Sequence, residues 1–328
     1  MSQHSQFPVV THFGIRNGDK PFVSVIMPVR NEGERLSSAI HSIVEGCSSR
    51  FPLQIVIVND CSSDGCCSNL EGLRGGANNN VELTVIELPR WSGIPYARNV
   101  GATKARAEIL FITDANVHFP KNWDLPIRDR FEPNSALCAT IADSGSSFLA
   151  CGGMLHLPSM AFSWLGSPAI FGGRIPLAPC TGTVLSRELF CKVGGYDTAM
   201  PLYGAAEPEF SVRLWLSGAE IKCLPELTLM HRFRPASERQ PFLDAIRLTQ
   251  VHNYLRFGML YLDHANATRV VNYYAATAPS VIDGALQRVL SGDVWHRRDV
   301  LSRNLPLRFE SFLKRFGFLD LKGSFRFG

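Results

Sequence analysis

No stretch of basic residues longer than two occurs in the chain, Arg297–Arg298 being such a pair. The net charge is +4 and the isoelectric point about 8.6. That balance is too mild to argue for nucleic acid as a partner, although Arg232 with Arg234 and Arg297 with Arg298 could each meet a phosphate. Uninterrupted apolar runs of the ~18–20 residues that a membrane span needs are also missing. The N-terminus has no basic start followed by an apolar core, so no secretory signal is visible and the chain reads as cytoplasmic. The nine cysteines follow no zinc-binding spacing, and the adjacent Cys66 and Cys67 cannot readily bridge each other. Free buried thiols are therefore expected, because a disulfide framework would need an oxidising compartment. Glycine-rich phosphate loops are absent too: no G-x-G-x-x-G follows the first apolar segment, and no Walker sequence occurs. Nucleotide phosphates would have to be met by a metal ion or by Arg and Lys side chains.

What is present is a regular alternation. Hydrophobic residues make up 45% and charged residues 19% of the 328 positions, as in a packed globular chain. The length suits two domains, or one large α/β domain with an extension. The first ~20 residues are polar and aperiodic and are expected to be flexible. "FVSVIMP" (22–28) reads as a buried strand stopped by Pro28. The segment after it places Leu36, Ile40, Ile43 and Val44 at helical spacing, with Gly46 as terminator. "LQIVIVND" (53–60) is a second strand, and "CSSDGCCSNLEGL" has capping chemistry before a short helix. "VELTVIELP" (81–89) is a third strand; Ile94, Ala97, Val100 and Gly101 mark a helix; "EILFITD" (108–114) is a fourth strand. Such short, regular connections argue for a mostly parallel sheet with helices on both faces.

Ligands bind such sheets beyond the carboxyl ends of the strands. Those ends carry Pro28, Asp60, Pro89 and Asp114. Two carboxylates on that edge suit a metal ion or ribose hydroxyls. The stretch 133–186, rich in Gly, Ser, Pro and Ala, predicts short strands and loops around a pocket. "EPEFSVRLWLSG" (207–218) predicts a helix that opens on two acids, and "AEIKCLPE" a short strand. From about residue 240 the spacing of Leu243, Ile246, Leu248, Val251, Tyr254 and Leu255 is helical.

"VSVIMPVRNEGERLSSAIHSI", "IVIVNDCSSDG", "GIPYARNVGATKARAEILFITDAN" and "GGYDTAMPLYGAAEPEFSVRLWLSGAEI" together resemble the successive motifs of family 2 glycosyltransferases. The later stretch, through "MHRFR", is also similar to polypeptide N-acetylgalactosaminyltransferases and to a galactosyltransferase-type C-terminal segment. The resemblance covers residues 22–235. It implies a GT-A fold of α/β class and an enzyme that uses a nucleotide-diphosphate sugar. The organisation expected is a flexible 1–20, a GT-A domain over 21–235 and a helical C-terminal region over 236–328.

Residue by residue, the resemblance implies that Pro28, Arg30, Glu32, Asp60, Arg98 and Asp114 bind the nucleotide. The family usually has two acids where this chain has Asn59-Asp60. Asp60 can accept from a base N–H or a ribose hydroxyl, or it can simply cap the following helix. Asp114-Ala115-Asn116 matches the family's D-x-D, with an amide replacing the second acid. His231 matches the histidine that completes the metal site in several relatives. Asp114, Asn116 and His231 would then hold Mn2+ or Mg2+, the imidazole favouring Mn2+ and the missing charge weakening the site. Arg232 and Arg234 would clamp the diphosphate, and Asp197 of "GGYD" would line the sugar or acceptor pocket.

In the family an acidic pair supplies the base; here the pair reads Ala206-Glu207, so Glu207 takes that position. The positive end of a helix favours the charged form of a carboxylate, the form a general base needs. Glu207 can equally be an acid that only stabilises the helix end, and Glu209 matches a family glutamate with a structural role. The function implied is transfer of a hexose or N-acetylhexosamine from a UDP-sugar to a saccharide, peptide or small-molecule acceptor, with inversion if Glu207 is the base, while the resemblance to the N-acetylgalactosaminyltransferases, which retain, keeps the stereochemistry open. A sugar-nucleotide-binding protein that has lost turnover is a second reading, since Asn59, Ala206 and Asn116 each remove an acid. A nucleotidyltransferase is a third, though "PVRNEGERL" lacks the lysine it would need.

Overall fold

The computed structural model describes residues 8–13, 20–48, 51–68, 70 and 80–318. A sheet of ten strands forms its spine. The first half alternates as the spacing predicts: β2 (Val23–Val29), α1 (Glu34–Gly46), β3 (Leu53–Asn59), β4 (Val81–Glu87), α2 (Ile94–Lys104) and β5 (Ile109–Ile112). In this half β4, β3, β2 and β5 lie side by side and parallel. Their β-branched residues are buried on both faces, which is why they read as continuous apolar runs. α1 turns Leu36, Ile40, Ile43 and Val44 onto one face. α2 opens on Pro95 and approaches β2 so closely that a Cβ at Gly101 would fall 2.5 Å from Ile26 Cγ2.

The second half is more irregular. β6 (Val117–His118), α3 (Asp124–Arg130), β7 (Ser135–Asp143), β8 (Leu149–Ala150), β9 (Gly153–His156), β10 (Ala161–Trp164) and β11 (Thr183–Ser186) come first. α4 (Arg187–Lys192), α5 (Ala206–Leu216) and β12 (Glu220–His231) follow. The path across the sheet is β1-β4-β3-β2-β5-β11-β7-β12-β6, where β1 is Val9–Phe13, with β8 added beside β7; β9 and β10 form a separate hairpin. β11 runs antiparallel between β5 and β7, and β12 runs parallel to β7. β12 is twelve residues long, not the short strand expected, because it crosses Pro225 through an irregularity between Leu224 and Thr228.

Two further differences from the sequence reading stand out. The first twenty residues, expected to be flexible, include β1, an antiparallel edge strand on β4. Residues 61–68 form turns, and the rest of the short helix expected there lies mostly outside the described residues.

Among the described residues six helices follow β12: α6 (Ala236–Ala245), α7 (Arg247–Tyr261), α8 (His264–Thr277), α9 (Ile282–Ser291), α10 (Val294–Asn304) and α11 (Phe309–Arg315). Position 235/236 does not divide the core. Leu255 and Phe257 of α7 share one buried cluster with Phe210 and Leu214 of α5 and with Ile112 of β5. No helix among the described residues is long and apolar enough to cross a membrane.

Candidate active site

The carboxyl ends of the parallel strands meet one another through side-chain to backbone bonds. Arg30, just past β2, donates from Nη1 to the carbonyls of Asp60 and Cys61, each at 2.7 Å, and lies over the Trp91 ring at 4.5 Å. Asp60 is 4% exposed, and its two carboxylate oxygens accept from the Ser92 and Gly93 amides at 2.7 Å each. Burial pushes its pKa up, while the two amides and Arg30 oppose that rise. Asp60 therefore fixes the turn into α2, at the carboxyl edge of the parallel strands. Pro28 sits within β2 opposite Val58.

Gly93 is required at that turn. Its φ is +90°, and a Cβ there would strike the Leu202 backbone, which lies against it as an isolated bridge. The loop thus docked, 202–205, carries positive φ at Leu202 (61°), Gly204 (99°) and Ala205 (64°). Two of these are not glycine, a strain that the surroundings must hold. The loop delivers Glu207 in the first turn of α5.

There Glu207 meets Arg98 of α2 and Asp114 of the β5 end. Arg98 donates from Nη1 to Glu207 Oε1 at 2.9 Å and from Nη2 to Asp114 Oδ1 at 3.2 Å and the Cys180 carbonyl at 2.6 Å. Its face lies over the Tyr196 ring at 5.2 Å. The Arg98 side chain is fully buried, and its Nε has no hydrogen-bond partner. Asp114 and Glu207 keep 21% and 12% of their side chains exposed. Asp114 is held from behind by its amide, which donates to Thr181 Oγ1 at 3.1 Å. Burial and the neighbouring carboxylates push the Cys180 thiol well above its ordinary pKa, so it is a neutral neighbour. Tyr203 is also raised by burial, with Cys180 and Glu207 adding to the effect.

On the other side of Asp114, β12 brings His231 opposite Val117 and Asp143. Asn116 and Arg232 exchange backbone and side-chain bonds: the Arg232 amide donates to the Asn116 carbonyl at 3.0 Å, and Asn116 Nδ2 donates to the Arg232 carbonyl at 3.1 Å. That arrangement commits the Asn116 amide nitrogen and leaves Oδ1 as the oxygen to offer. His231 is 7% exposed, packs on Phe233 with centroids 4.1 Å apart, and has an unpartnered, buried Nδ1. Burial lowers its pKa, opposed by Asp114 and Asp143, so the neutral imidazole is favoured. A buried nitrogen without a partner is costly unless something else satisfies it. The donor set of one carboxylate, one amide oxygen and one imidazole fits a divalent ion of the Mn2+ kind. Among the described residues no group of three His, Cys, Asp or Glu side chains is placed to hold a metal, so Asn116 would have to be a member.

The other expected contacts divide. Arg234 pairs with Glu32 at 2.5 Å, and Arg35 reaches Glu32 at 3.4 Å and Glu238 of α6 at 3.6 Å. Glu32 is raised in pKa by burial, with Arg234 opposing most strongly. Glu32 therefore braces Arg234 through an ion pair. A cavity of about 720 Å³ opens beside this pair, lined by Asn31, Glu32, Arg35, Asn116, His118 and Arg232 among others, and meets the Asp114 cluster at Asn116. Asp197 is placed elsewhere: it accepts from Arg256 of α7 at 2.8 Å and from the Ala199 amide at 3.0 Å. It joins a turn to a helix instead of joining the Asp114–Glu207 cluster.

Sequence reading missed Thr181 and Cys180, which with Tyr196 wall the cluster. "APCTGT" carries no residue whose chemistry would have marked it. It also missed Trp91 and Phe242, which join Tyr203 in an exposed ring trio with neighbouring centroids 6.3 Å apart.

A family model described as Glycosyl transferase family 2 matches residues 24–191. Among curated relatives, N-acetylgalactosaminyltransferase 6 of Drosophila melanogaster is 26% identical over 318 residues, covering 91% of this chain and 45% of the relative. Polypeptide N-acetylgalactosaminyltransferase 11 of Xenopus tropicalis is 26% identical over 269 residues, covering 75% and 43%. The chain thus spans about half the length of the curated relatives it matches. Of solved structures, GalNAc-T7 with UDP, GalNAc and Mn2+ superposes with a TM-score of 0.70 at 18% identity, over 92% of this chain and 57% of that one. The mannosyltransferase PcManGT from Pyrobaculum calidifontis, in complex with GDP-Man and Mn2+, gives 0.54 at 18% identity, over 87% and 86%. These likenesses show a shared GT-A fold.

Proposed function

We propose, for a chain that belongs to glycosyl transferase family 2, that it transfers a hexose or N-acetylhexosamine from a UDP-sugar to an acceptor nucleophile. The observation that carries this reading is the meeting of Asp114 and Glu207 on the Arg98 guanidinium, at the end of the parallel sheet where a sugar nucleotide would lie. The curated relatives, named as N-acetylgalactosaminyltransferases, favour an N-acetylhexosamine as the sugar.

Glu207 Oε1 is committed to Arg98, so Oε2 is the oxygen free to take the acceptor proton. As that proton leaves, the acceptor oxygen bonds to the anomeric carbon and the bond from that carbon to the UDP phosphate oxygen breaks. Direct displacement of this kind inverts the anomeric centre. Asp114, Asn116 and His231 would hold a divalent ion, Mn2+ being the better fit to an imidazole ligand, and when bound it would offset the charge of the departing diphosphate. Arg232 and Arg234 stand where they can meet the same charge, Arg234 after exchanging Glu32 for phosphate.

The acceptor is left as a nucleophile of open class, with the ring trio of Trp91, Tyr203 and Phe242 on its approach. We place the transferase motifs in 21–235, with the helical 236–328 sharing their core, and the site in the cytoplasm; nine free thiols suit a reducing compartment. The shortage of acidic metal ligands favours a second reading, a sugar-nucleotide binder without turnover. Calorimetry with UDP, with and without Mn2+, followed by assay of UDP release from UDP-sugars, separates the two. Binding with release supports the transferase, binding alone supports the second reading, and absence of binding removes both.

A further inference from the structure

Arg98 lies in a stretch that sequence likeness assigns to the nucleotide, yet its side chain is fully enclosed by the protein. Tyr196 covers one face, Nη2 is shared between Asp114 and the Cys180 carbonyl, and Nη1 is held by Glu207. Of the two N–H groups left over, one on Nη1 and one on Nε, the Nε is buried without a partner. Leaving that N–H unmet is unfavourable, so the orientation of the guanidinium must be set by the other bonds. Those bonds span four separate segments: α2, the end of β5, the loop before β11 and the start of α5. A rigid planar fork suits this task, since Lys offers a single flexible charge that cannot hold two carboxylates at a defined distance.

We propose that Arg98 is a positioning residue, which fixes the separation of Glu207 and Asp114 across the reaction centre and makes no contact with the nucleotide. The proposal rests on the transferase reading of Glu207 and Asp114. Its consequence is that two groups delivered by distant parts of the chain, one next to the leaving diphosphate and one next to the acceptor, are registered to each other through one side chain. A displacement of about 1 Å at such a site costs on the order of a hundredfold in rate.

The test compares wild type with Arg98→Lys and Arg98→Ala in three measurements: UDP-sugar hydrolysis, UDP affinity in EDTA, and rescue by guanidinium. Positioning predicts that kcat falls about a hundredfold in both variants, that metal-free UDP affinity stays within about twofold, and that guanidinium restores part of the activity of Arg98→Ala. A nucleotide contact predicts a loss of about tenfold or more in metal-free UDP affinity with kcat retained, and that result would overturn the proposal. Full activity in Arg98→Lys would overturn it as well. Should the variants not fold, arginine side-chain 15N NMR of the wild type decides: the Arg98 Nε–H signal stays in place on adding UDP in EDTA if Arg98 only positions, and moves if it binds. Failure of the function reading is separately visible, because the wild type would then bind no UDP at all.

Discussion

Two buried arginines flank the site and behave in opposite ways. Arg213 of α5 forms a closed network. It is bidentate to Glu209, donates to the carbonyls of Val193 and Gly195, and shares Glu209 with the Tyr261 hydroxyl. Neither it nor Glu209 has any exposed side-chain surface. Arg98 has the same burial, but its two carboxylates each keep an exposed part and its Nε is unmet. A closed network of this kind serves the fold. A network whose acids keep a free edge toward solvent can act on something that arrives there. The two glutamates of α5 are separated by one residue and fall on either side of that division.

The largest expected effect breaks the comparison at its open end. Glu207→Gln lowers UDP-sugar turnover by about 10²–10⁴-fold, the range for loss of a general base, while calorimetric UDP affinity and the melting temperature stay near wild type. The mirror-image change, Glu209→Ala, leaves the Arg213 charge buried and unpaired and costs about 3–5 kcal/mol of stability. Denaturant melts should show that loss, with turnover per folded molecule retained. If Glu209→Ala also lost turnover per folded molecule, the closed network would not be purely structural.

A smaller effect sharpens the open site. Asn116→Asp would supply a second carboxylate to the proposed metal group and should tighten Mn2+ binding by about tenfold, since ligand charge tunes affinity. Calorimetry with Mn2+ in the presence of UDP reads it. The smallest effect concerns Asp197, another closed contact. Burial alone would raise its pKa, but Arg256 holds it below the ordinary 3.8. A depressed carboxyl contributes stability that is present above its unfolded pKa and lost as pH falls through the folded value. Stability should therefore drop below about pH 4 in wild type, and Asp197→Asn should flatten that limb of the melting-temperature profile.

The parallel half of the sheet was legible because its strands are short, almost wholly buried and β-branched, and β2 and β4 are each followed by a helix within a few residues. The placement of Asp60, Asp114 and Glu207 was legible for the same reason, as acids at the ends of strongly patterned elements, and their roles are those proposed above. Asp197 was not, because "GGYD" marks a turn without saying which element the carboxylate faces, and its partner Arg256 lies in a helix that carries no motif. The role of Arg98 was hidden for a related reason. On α2 it shares the face of Ile94 and Gly101, but the groups that receive its guanidinium include Glu207 and Cys180, which come from parts of the chain far away in sequence. β12 was shortened in the reading because Pro225 and Glu226 interrupt its pattern where the strand is irregular. β1 escaped because a single five-residue edge strand in a polar segment has no period to detect.

The most direct measurement is UDP release from UDP-N-acetylhexosamines in the presence of Mn2+, comparing wild type with Glu207→Gln at matched UDP occupancy. The account predicts release by wild type and a loss of about a hundredfold or more in the variant. Equal release by the two proteins would contradict it.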